Sequence, residues 1–158
     1  MTTRAFSFSH GVAAALGAET IVLSRTLAKR DDGLALGASD YVSTQDADAM
    51  KALRGSFDLI LSTISDGIDL NATLGLLKAH GVLINVGLPE NPTTFSIGTL
   101  TGQARILAGS NIGGIAETQQ MLDFCAQKNI LPECEMIRME QINEAFERME
   151  RSDVRYRF

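Results

Sequence analysis

Apolar and polar positions follow two different spacings along this chain. Short apolar, β-branched runs, which are typical of buried strands, are separated by stretches whose apolar residues recur at helical spacing. The runs predict strands at residues 21–23, 40–43, 57–62, 82–86, 105–109 and 135–138. The periodic stretches predict helices at residues 28–36, 46–53, 70–79, 116–128 and 139–151. Gly37 and Gly81 follow two of these helices, where glycine commonly ends a helix.

This alternation of strands and helices predicts the fold class. Strand–helix–strand units with right-handed crossovers build a parallel sheet covered by helices on both faces. We therefore expect an α/β protein with a Rossmann-type, doubly wound parallel sheet. The chain has 158 residues, the size of one domain, and the proline-containing loop at residues 88–92 is too short to be a boundary. We expect a single domain over residues 1–158.

Composition and charge exclude several classes of function. Apolar residues make up 45% of the chain and charged residues 21%, which is typical of a globular protein. The net charge of −5 argues against nucleic acid as a partner. No apolar run approaches the ~20 residues that span a membrane, and the first residues do not have the pattern of a signal peptide. Cys125 and Cys134 lack metal-site spacing. These features predict a cytoplasmic protein with reduced thiols and no membrane partner.

The carboxyl ends of the predicted strands are the places where an open α/β sheet binds ligands. The first strand is followed by Ser24, Arg25 and Lys29, with no acidic residue among them. A hydroxyl, a guanidinium and an ammonium suit the 2′-phosphate of a nucleotide, whereas an NAD site favours a carboxylate there. The same residues are equally typical of a solvated, basic helix start. Both interpretations stay open on these residues alone.

The remaining strand ends are small or polar, at residues 62–65, 85–89 and 109–114. They favour a flat ligand and exposed backbone donors, but ordinary turns have the same composition. The fingerprint G-x-G-x-x-G is absent. His10 and His80 stand apart and belong to no catalytic motif, and we expect His80 to have a structural role at a helix end. We assign no catalytic and no metal-binding residue.

Longer segments spread along the chain carry more information than single strand ends. They are residues 15–19, 57–63, 74–78, 86–89, 108–119 (AGSNIGGIAETQ), 121–126, 141–149 and 153–158 (DVRYRF). Together they resemble the zinc-dependent medium-chain alcohol dehydrogenases, in the cinnamyl-alcohol-dehydrogenase-like branch that prefers NADP. The resemblance covers nearly the whole chain from about residue 12 onward. It implies alcohol and aldehyde oxidoreduction by hydride transfer in full-length family members.

The resemblance also implies an NADP(H) site made of residues that follow the carboxyl ends of strands. These residues are Ser24, Arg25, Lys29, Thr63, Val86, Gly87, Leu88, Ser110, Asn111 and Ile112. The first three match the positions that hold the 2′-phosphate, and the fourth lies on the adenosine side. The next three match a stretch beside the nicotinamide ribose, and the last three match a segment whose backbone meets the carboxamide. Asn111 stands where the family is expected to have an apolar residue.

Other family features have no counterpart in this sequence. The ligands of the catalytic and structural zinc ions precede the segment that corresponds to residue 1, and so does the first strand of the Rossmann fold. An ungapped alignment puts the glycine-rich turn onto residues 1–6, which contain no glycine. We therefore expect a truncated NADP-binding domain that lacks its first strand, with the catalytic zinc domain absent, weak or lost NADP binding, and no activity alone. A non-enzymatic nucleotide-binding or dimerising module and a remnant without function stay open as alternatives.

Two further expectations concern chain association and the N-terminus. Residues 94–97, around Phe95, match a family edge strand that pairs two subunits, so a homodimer through this strand is one route to association. The strand edges left unpaired by the missing first strand are the other, which we expect to dominate. Phe8, Val12 and Leu16 have the spacing of a first helix, which we favour for this segment. In the alternative, residues 5–8 replace the missing strand.

Overall fold

A computed structural model describes residues 7–131, 134–151, 153–154 and 157–158. Within them the strands are β1 (Ile21–Ser24), β2 (Asp40–Ser43), β3 (Phe57–Ser62), β4 (Leu77–Asn85) and β5 (Ile106–Gly109). The helices are α1 (Ser7–Ala15), α2 (Arg30–Ala35), α3 (Ala47–Ala52), α4 (Leu70–Gly75), α5 (Gly98–Thr101), α6 (Ile115–Gln127) and α7 (Ile142–Glu150), with a 3₁₀ turn at Met139–Gln141. The predicted α/β class with parallel strands is confirmed.

The strands form two parallel sheets. β1 pairs with β2, and β4 lies in the middle of a three-stranded sheet in the order β3–β4–β5. Within the described residues no strand joins β1 to β3, so each of these two strands is paired on one side only. This arrangement is the one expected for a doubly wound sheet without its first, central strand.

The main core lies on one face of the three-stranded sheet. Leu70 and Leu74 of α4 pack with Leu77 and Leu83 of β4, and Phe95 is partly buried against this cluster. On the opposite face, side chains of β3 and β5 stay about half exposed: Leu59, Leu61 and Ile106. Parallel sheets normally bury both faces, so this face is uncovered apolar surface.

The two-stranded sheet has a smaller core of Val22, Ala38 and Tyr41. Gly33 of α2 lies directly against the Tyr41 ring, because a Cβ on Gly33 would be 2.7 Å from a ring carbon. A close approach of this kind requires glycine. The helix is thus held against β2 by a small residue rather than by a large apolar surface.

The boundary between α4 and β4 differs from the prediction. The expected helix over residues 70–79 ends at Gly75, and β4 begins at Leu77, which pairs with Phe57 of β3. His80 therefore lies inside a strand, with φ of 61° and its amide donating to Gln103 O at 2.9 Å, and not at a helix end. Gly81 allows close packing, because a Cβ there would be 3.0 Å from the Leu77 Cβ.

One predicted strand is wrong. Residues 134–138 form no strand, although the Glu135 amide donates to Arg157 O at 2.9 Å. Residues 94–97, the expected dimer edge, form a loop within this chain, and their pairing with a second chain stays a prediction. The Ser96 amide and the Thr99 hydroxyl both donate to Asn71 Oδ1, which holds this loop over α4 and leaves Phe95 against the core.

The N-terminal helix begins at Ser7. Residues 7 and 8 are therefore helical, as the favoured interpretation expects, and do not belong to a substitute strand. The part of the strand alternative that concerns residues 5–6 lies outside the described residues.

Candidate functional site

The carboxyl ends of β1 and β2 form one continuous polar edge. Ser24 lies opposite Ser43 in the parallel register, and the Thr44 amide donates to Ser24 O at 2.7 Å. The Ser43 hydroxyl donates to Arg25 O at 3.2 Å, which fixes the backbone after β1 and leaves the Arg25 side chain exposed. Ser43 was not predicted as a site residue, although it ends the neighbouring strand.

Lys29 lies just before the first residue of α2. Its ammonium donates to Val154 O at 3.1 Å, across 125 residues of sequence. The side chain is half-buried, so the contact holds it at the end of the β1–α2 loop. Arg25, Lys29 and Arg30 precede Asp31 and Asp32, which lie in the first turn of α2, so positive charge lies next to the strand end and negative charge follows it.

The carboxyl ends of β3 and β4 are in direct backbone contact. The Val86 amide donates to Ser62 O at 2.9 Å, and Ser62 is buried. A Cβ built on Gly87 would overlap the carbonyl group of Ile64, so this position requires glycine. The requirement comes from protein packing and is independent of any ligand. Thr63, half-buried, lies between Ser62 and Ile64 in the same loop.

Asn85, the last residue of β4, belongs to the polar strand end at residues 85–89 but is not among the predicted site residues. Its Nδ2 donates to Gly87 O at 2.7 Å, and the Ser110 amide donates to its backbone oxygen at 3.3 Å. Its Oδ1 is buried and has no hydrogen-bond partner in the described part of the chain. The available signal was an amide side chain directly after the apolar run of residues 82–84.

The segment after β5 is an exposed turn. Asn111 Oδ1 accepts from the Ile112 amide at 2.9 Å, so this side chain shapes its own turn. Gly114, which precedes α6, donates its amide to Glu117 Oε2 at 2.7 Å. Ile112 is 92% exposed and Leu88, after β4, is 87% exposed. Two large apolar side chains therefore stand in solvent at the strand ends of the three-stranded sheet.

The predicted site residues thus fall into two groups. Ser24, Arg25 and Lys29 belong to the two-stranded sheet, and the other predicted residues belong to the loops that follow β3, β4 and β5. His10 is buried in α1, and His80 lies in β4, away from the carboxyl end of that strand. Across the described ranges, no cluster of three or more His, Cys, Asp or Glu side chains could hold a metal ion. None of the described helices is both long enough and apolar enough to cross a membrane.

Several curated proteins share this sequence over most of its length. The chain is 54% identical over 147 residues to NADP-dependent alcohol dehydrogenase C 1 of Mycolicibacterium smegmatis, covering 93% of the chain and 42% of that protein. It is 47% identical over 154 residues to the probable formaldehyde dehydrogenase AdhA of Bacillus subtilis, covering 98% of the chain and 43% of that protein. The chain therefore spans less than half the length of these relatives.

Solved structures have the same fold. A cinnamyl alcohol dehydrogenase from Sorghum bicolor matches with a TM-score of 0.90 and 33% identity, over 94% of this chain and 42% of that one. The cinnamyl alcohol dehydrogenase of Helicobacter pylori, solved with NADP(H), matches with a TM-score of 0.79 and 34% identity, over 91% of this chain and 41% of that one. The sequence profile described as "Zinc-binding dehydrogenase" matches residues 8–127. The chain therefore belongs to the zinc-binding dehydrogenase family.

Proposed function

We propose that residues 1–158 are an NADP-binding domain that serves alcohol and aldehyde oxidoreduction. The observation that carries the proposal is the chemistry at the end of β1, where Ser24, Arg25 and Lys29 follow the strand without a carboxylate. A domain selective for NAD favours an acidic residue at this point, to accept hydrogen bonds from the ribose 2′-hydroxyl. Here the same point offers donors and positive charge, which favour a 2′-phosphate.

The geometry of the β1–β2 edge supports a phosphate subsite. The bonds from Thr44 and Ser43 hold the backbone at Ser24 and Arg25, so the exposed guanidinium extends from a fixed point. The Lys29 ammonium is held on the same loop. Charge-assisted hydrogen bonds of this kind contribute roughly 1.5–3 kcal/mol each before losses. These contacts and charges support a 2′-phosphate subsite made of the three residues.

The loops after β3, β4 and β5 are proposed to accommodate the rest of the dinucleotide. Thr63 would lie on the adenosine side, Val86, Gly87 and Leu88 beside the nicotinamide ribose, and residues 110–112 near the carboxamide. Because Asn111 already accepts from the Ile112 amide, a carboxamide ligand has to displace that bond or use the Ser110 backbone. When bound, NADP accepts or donates the hydride.

The described residues do not supply every part of the family's machinery. A pyrophosphate is normally cradled by a glycine-rich turn at a helix N-terminus, and no such turn follows a strand in the described ranges. Zinc requires Cys, His or carboxylate ligands in a cluster, which the described residues lack. These residues do not fit a zinc site, so no chemical step is assigned to a metal here.

Calorimetric titration of the chain with NADPH and NADH tests the proposal. We expect the chain to bind NADPH more tightly than NADH. Arg25→Ala should weaken NADPH binding by about 10- to 100-fold and leave NADH binding unchanged. Arg54→Ala, which removes an exposed arginine after α3, is the matched control and leaves both affinities unchanged. Equal or tighter binding of NADH by the unmodified chain contradicts the proposal.

We also propose that the chain self-associates. The observations that favour this are the unpaired edges of β1 and β3 and the exposed Leu59 and Leu61 on β3. Unpaired strand edges are templates for pairing with another chain. Light scattering over a wide concentration range tests this, and a monomer at every concentration contradicts it. Residues 94–97 form a loop within this chain, and a dimer through the segment near Phe95 remains a second route to association.

A further inference from the structure

A compact group of contacts fastens the end of the chain to α7. We call it the C-terminal clasp, and it consists of Glu135, Arg148, Asp153, Val154 and Phe158. Arg148 Nη2 lies 2.8 Å from Glu135 Oε2, and Arg148 Nε donates to Asp153 O at 3.1 Å. The Asp153 amide donates back to Arg148 O at 2.8 Å, and the guanidinium lies 4.8 Å from the centre of the Phe158 ring. One side chain thus holds three separate parts of the chain.

The guanidinium of Arg148 has the permanent charge and the donor geometry that these contacts require. Its hydrogen bond to Glu135 raises the pKa of the guanidinium above the ordinary value. An arginine is charged at any pH at which the protein is folded, so the clasp does not open by titration of Arg148. Its planar fork allows donation in two directions at once, to the Glu135 carboxylate and to the Asp153 carbonyl. A lysine at this position cannot reproduce that geometry.

The clasp reaches the proposed coenzyme site where Val154 contacts Lys29. Val154 follows the residue that Arg148 holds, and its carbonyl accepts from the Lys29 ammonium at 3.1 Å. A lysine side chain has four flexible methylene groups, so an unattached ammonium samples many positions. An ammonium has three N–H donors, so a bond to Val154 O is compatible with a phosphate contact. The carbonyl therefore limits where the Lys29 charge can lie.

We infer that the C-terminal clasp is a positioning element for the 2′-phosphate subsite, in which Arg148 controls selectivity between NADPH and NADH through Val154 and Lys29. The inference rests on the proposed NADP-binding function. Arg148 itself does not touch the nucleotide. It orders the segment whose carbonyl holds Lys29. Loss of the Arg148 side chain should therefore weaken the binding only of a ligand that carries the 2′-phosphate.

A double-mutant cycle tests this coupling, with NADPH and NADH affinities measured for the unmodified chain, Arg148→Gln, Lys29→Met and the double variant. We expect Arg148→Gln to weaken NADPH binding by about three- to tenfold and to leave NADH binding unchanged. In the Lys29→Met background the same change should have no further effect, because both act through one contact. Arg151→Gln is the matched control, since Arg151 pairs only loosely with Glu147, at 3.8 Å, one turn away on α7.

Amide hydrogen exchange in residues 153–158 provides a readout without nucleotide. Exchange there should become faster in both Arg148→Gln and Lys29→Met and should be unchanged in Arg151→Gln. Should Arg148→Gln fail to fold, Arg148→Lys is used, since it keeps the charge but loses the fork, and the same loss of selectivity is expected.

The outcomes separate the inference from the function on which it rests. If the unmodified chain does not prefer NADPH, the proposed function fails and the selectivity role fails with it. If Lys29→Met abolishes the preference while Arg148→Gln preserves it, only the inference is overturned. An increase in NADPH affinity in Arg148→Gln also overturns it, because the Val154 carbonyl would then compete with the phosphate. Unchanged amide hydrogen exchange in Lys29→Met would show that Lys29 does not hold the C-terminal segment, which also overturns the inference.

Discussion

The two sheets of this protein differ in how well they are packed and in which part of the proposed coenzyme site they carry. The three-stranded sheet has a leucine core in which Leu74, Leu77 and Leu83 are completely buried. The two-stranded sheet has four-residue strands and a core of one valine, one alanine and one tyrosine, none of them completely buried. The residues proposed to hold the 2′-phosphate lie at the end of the two-stranded sheet. The less well-packed part of the molecule therefore carries the groups proposed to distinguish between coenzymes.

A second difference lies in the side-chain contacts that join each sheet to other segments of the chain. Arg105 donates from Nε and Nη2 to Leu77 O and from Nη1 to Thr99 O, which ties β4 to α5 within the three-stranded part. The two-stranded sheet is instead reached by the C-terminal segment through Lys29. Since β1 and β3 each have an unpaired edge, the described residues leave the two sheets without a shared strand. The relative position of the two subsites depends on contacts outside the sheets.

The largest expected effect on stability comes from truncating one side chain in the leucine core. Leu74→Ala should lower the free energy of unfolding by about 2–5 kcal/mol, because the side chain is 0% exposed and a cavity remains. Val22→Ala, in the two-stranded sheet, should cost less, about 1–3 kcal/mol. Urea unfolding measures both, with Leu131→Ala as a control at a position that is 70% exposed. A larger loss of unfolding free energy in Val22→Ala than in Leu74→Ala would show that the core of the two-stranded sheet contributes more to stability, contrary to this expectation.

The next largest effect concerns the contact between the loops after β3 and β4. Gly87→Ala should cost about 1–3 kcal/mol, because the added methyl group overlaps the Ile64 carbonyl and the backbone must shift. Gly109→Ala, at the end of β5, is the matched control, since its Cβ would be 3.7 Å from Asn85 O, an ordinary contact. Thermal unfolding of the two variants is the measurement. If both lose the same stability, the glycine at position 87 is not required by packing.

How much of this could be predicted depends on whether the deciding contact is local. The strands at residues 21–23, 40–43 and 57–62 were predicted because an apolar run between turn residues is a local signal. The boundary after α4 was not, because the spacing of residues 70, 74 and 77 also suits a helix. Only the pairing of Leu77 with Phe57, twenty residues away, assigns Leu77 to a strand.

The same reasoning applies to the site. Ser24, Arg25 and Lys29 follow a strand in the sequence itself, so their position at a strand end could be predicted. The Val154 carbonyl that holds Lys29 could not, because 125 residues separate them. Asn85 could be placed at a strand end but not assigned a role, because its unusual feature, a buried amide oxygen without a partner among the described residues, exists only in three dimensions.

A smaller effect, of opposite sign, is expected at Asn85. Leaving a buried acceptor unpaired costs about 1–3 kcal/mol, while the bond from Nδ2 to Gly87 O returns about 0.5–1.5 kcal/mol. Asn85→Leu should therefore leave the free energy of unfolding unchanged or raise it by up to about 2 kcal/mol. Asn111→Leu is the control, because that exposed amide oxygen is paired with the Ile112 amide and its removal brings no gain. A clear destabilisation in Asn85→Leu shows that the amide has a partner that stabilises the fold.

The smallest effects compare equivalent helix caps on the two sheets. Asp46 accepts from the Asp48 and Ala49 amides at the start of α3, and Asp69 accepts from the Ala72 amide at the start of α4. Replacing either by alanine should cost about 1 kcal/mol, within a range of about 0.5–2 kcal/mol. The cap on α4 should matter more to global unfolding, because α4 carries Leu70 and Leu74 into the main core. Loss of the cap on α3 should instead appear first as faster hydrogen exchange in residues 47–52, since α3 has no buried residue to hold it. Equal effects of the two substitutions on both measurements indicate that the two sheets unfold together as one unit.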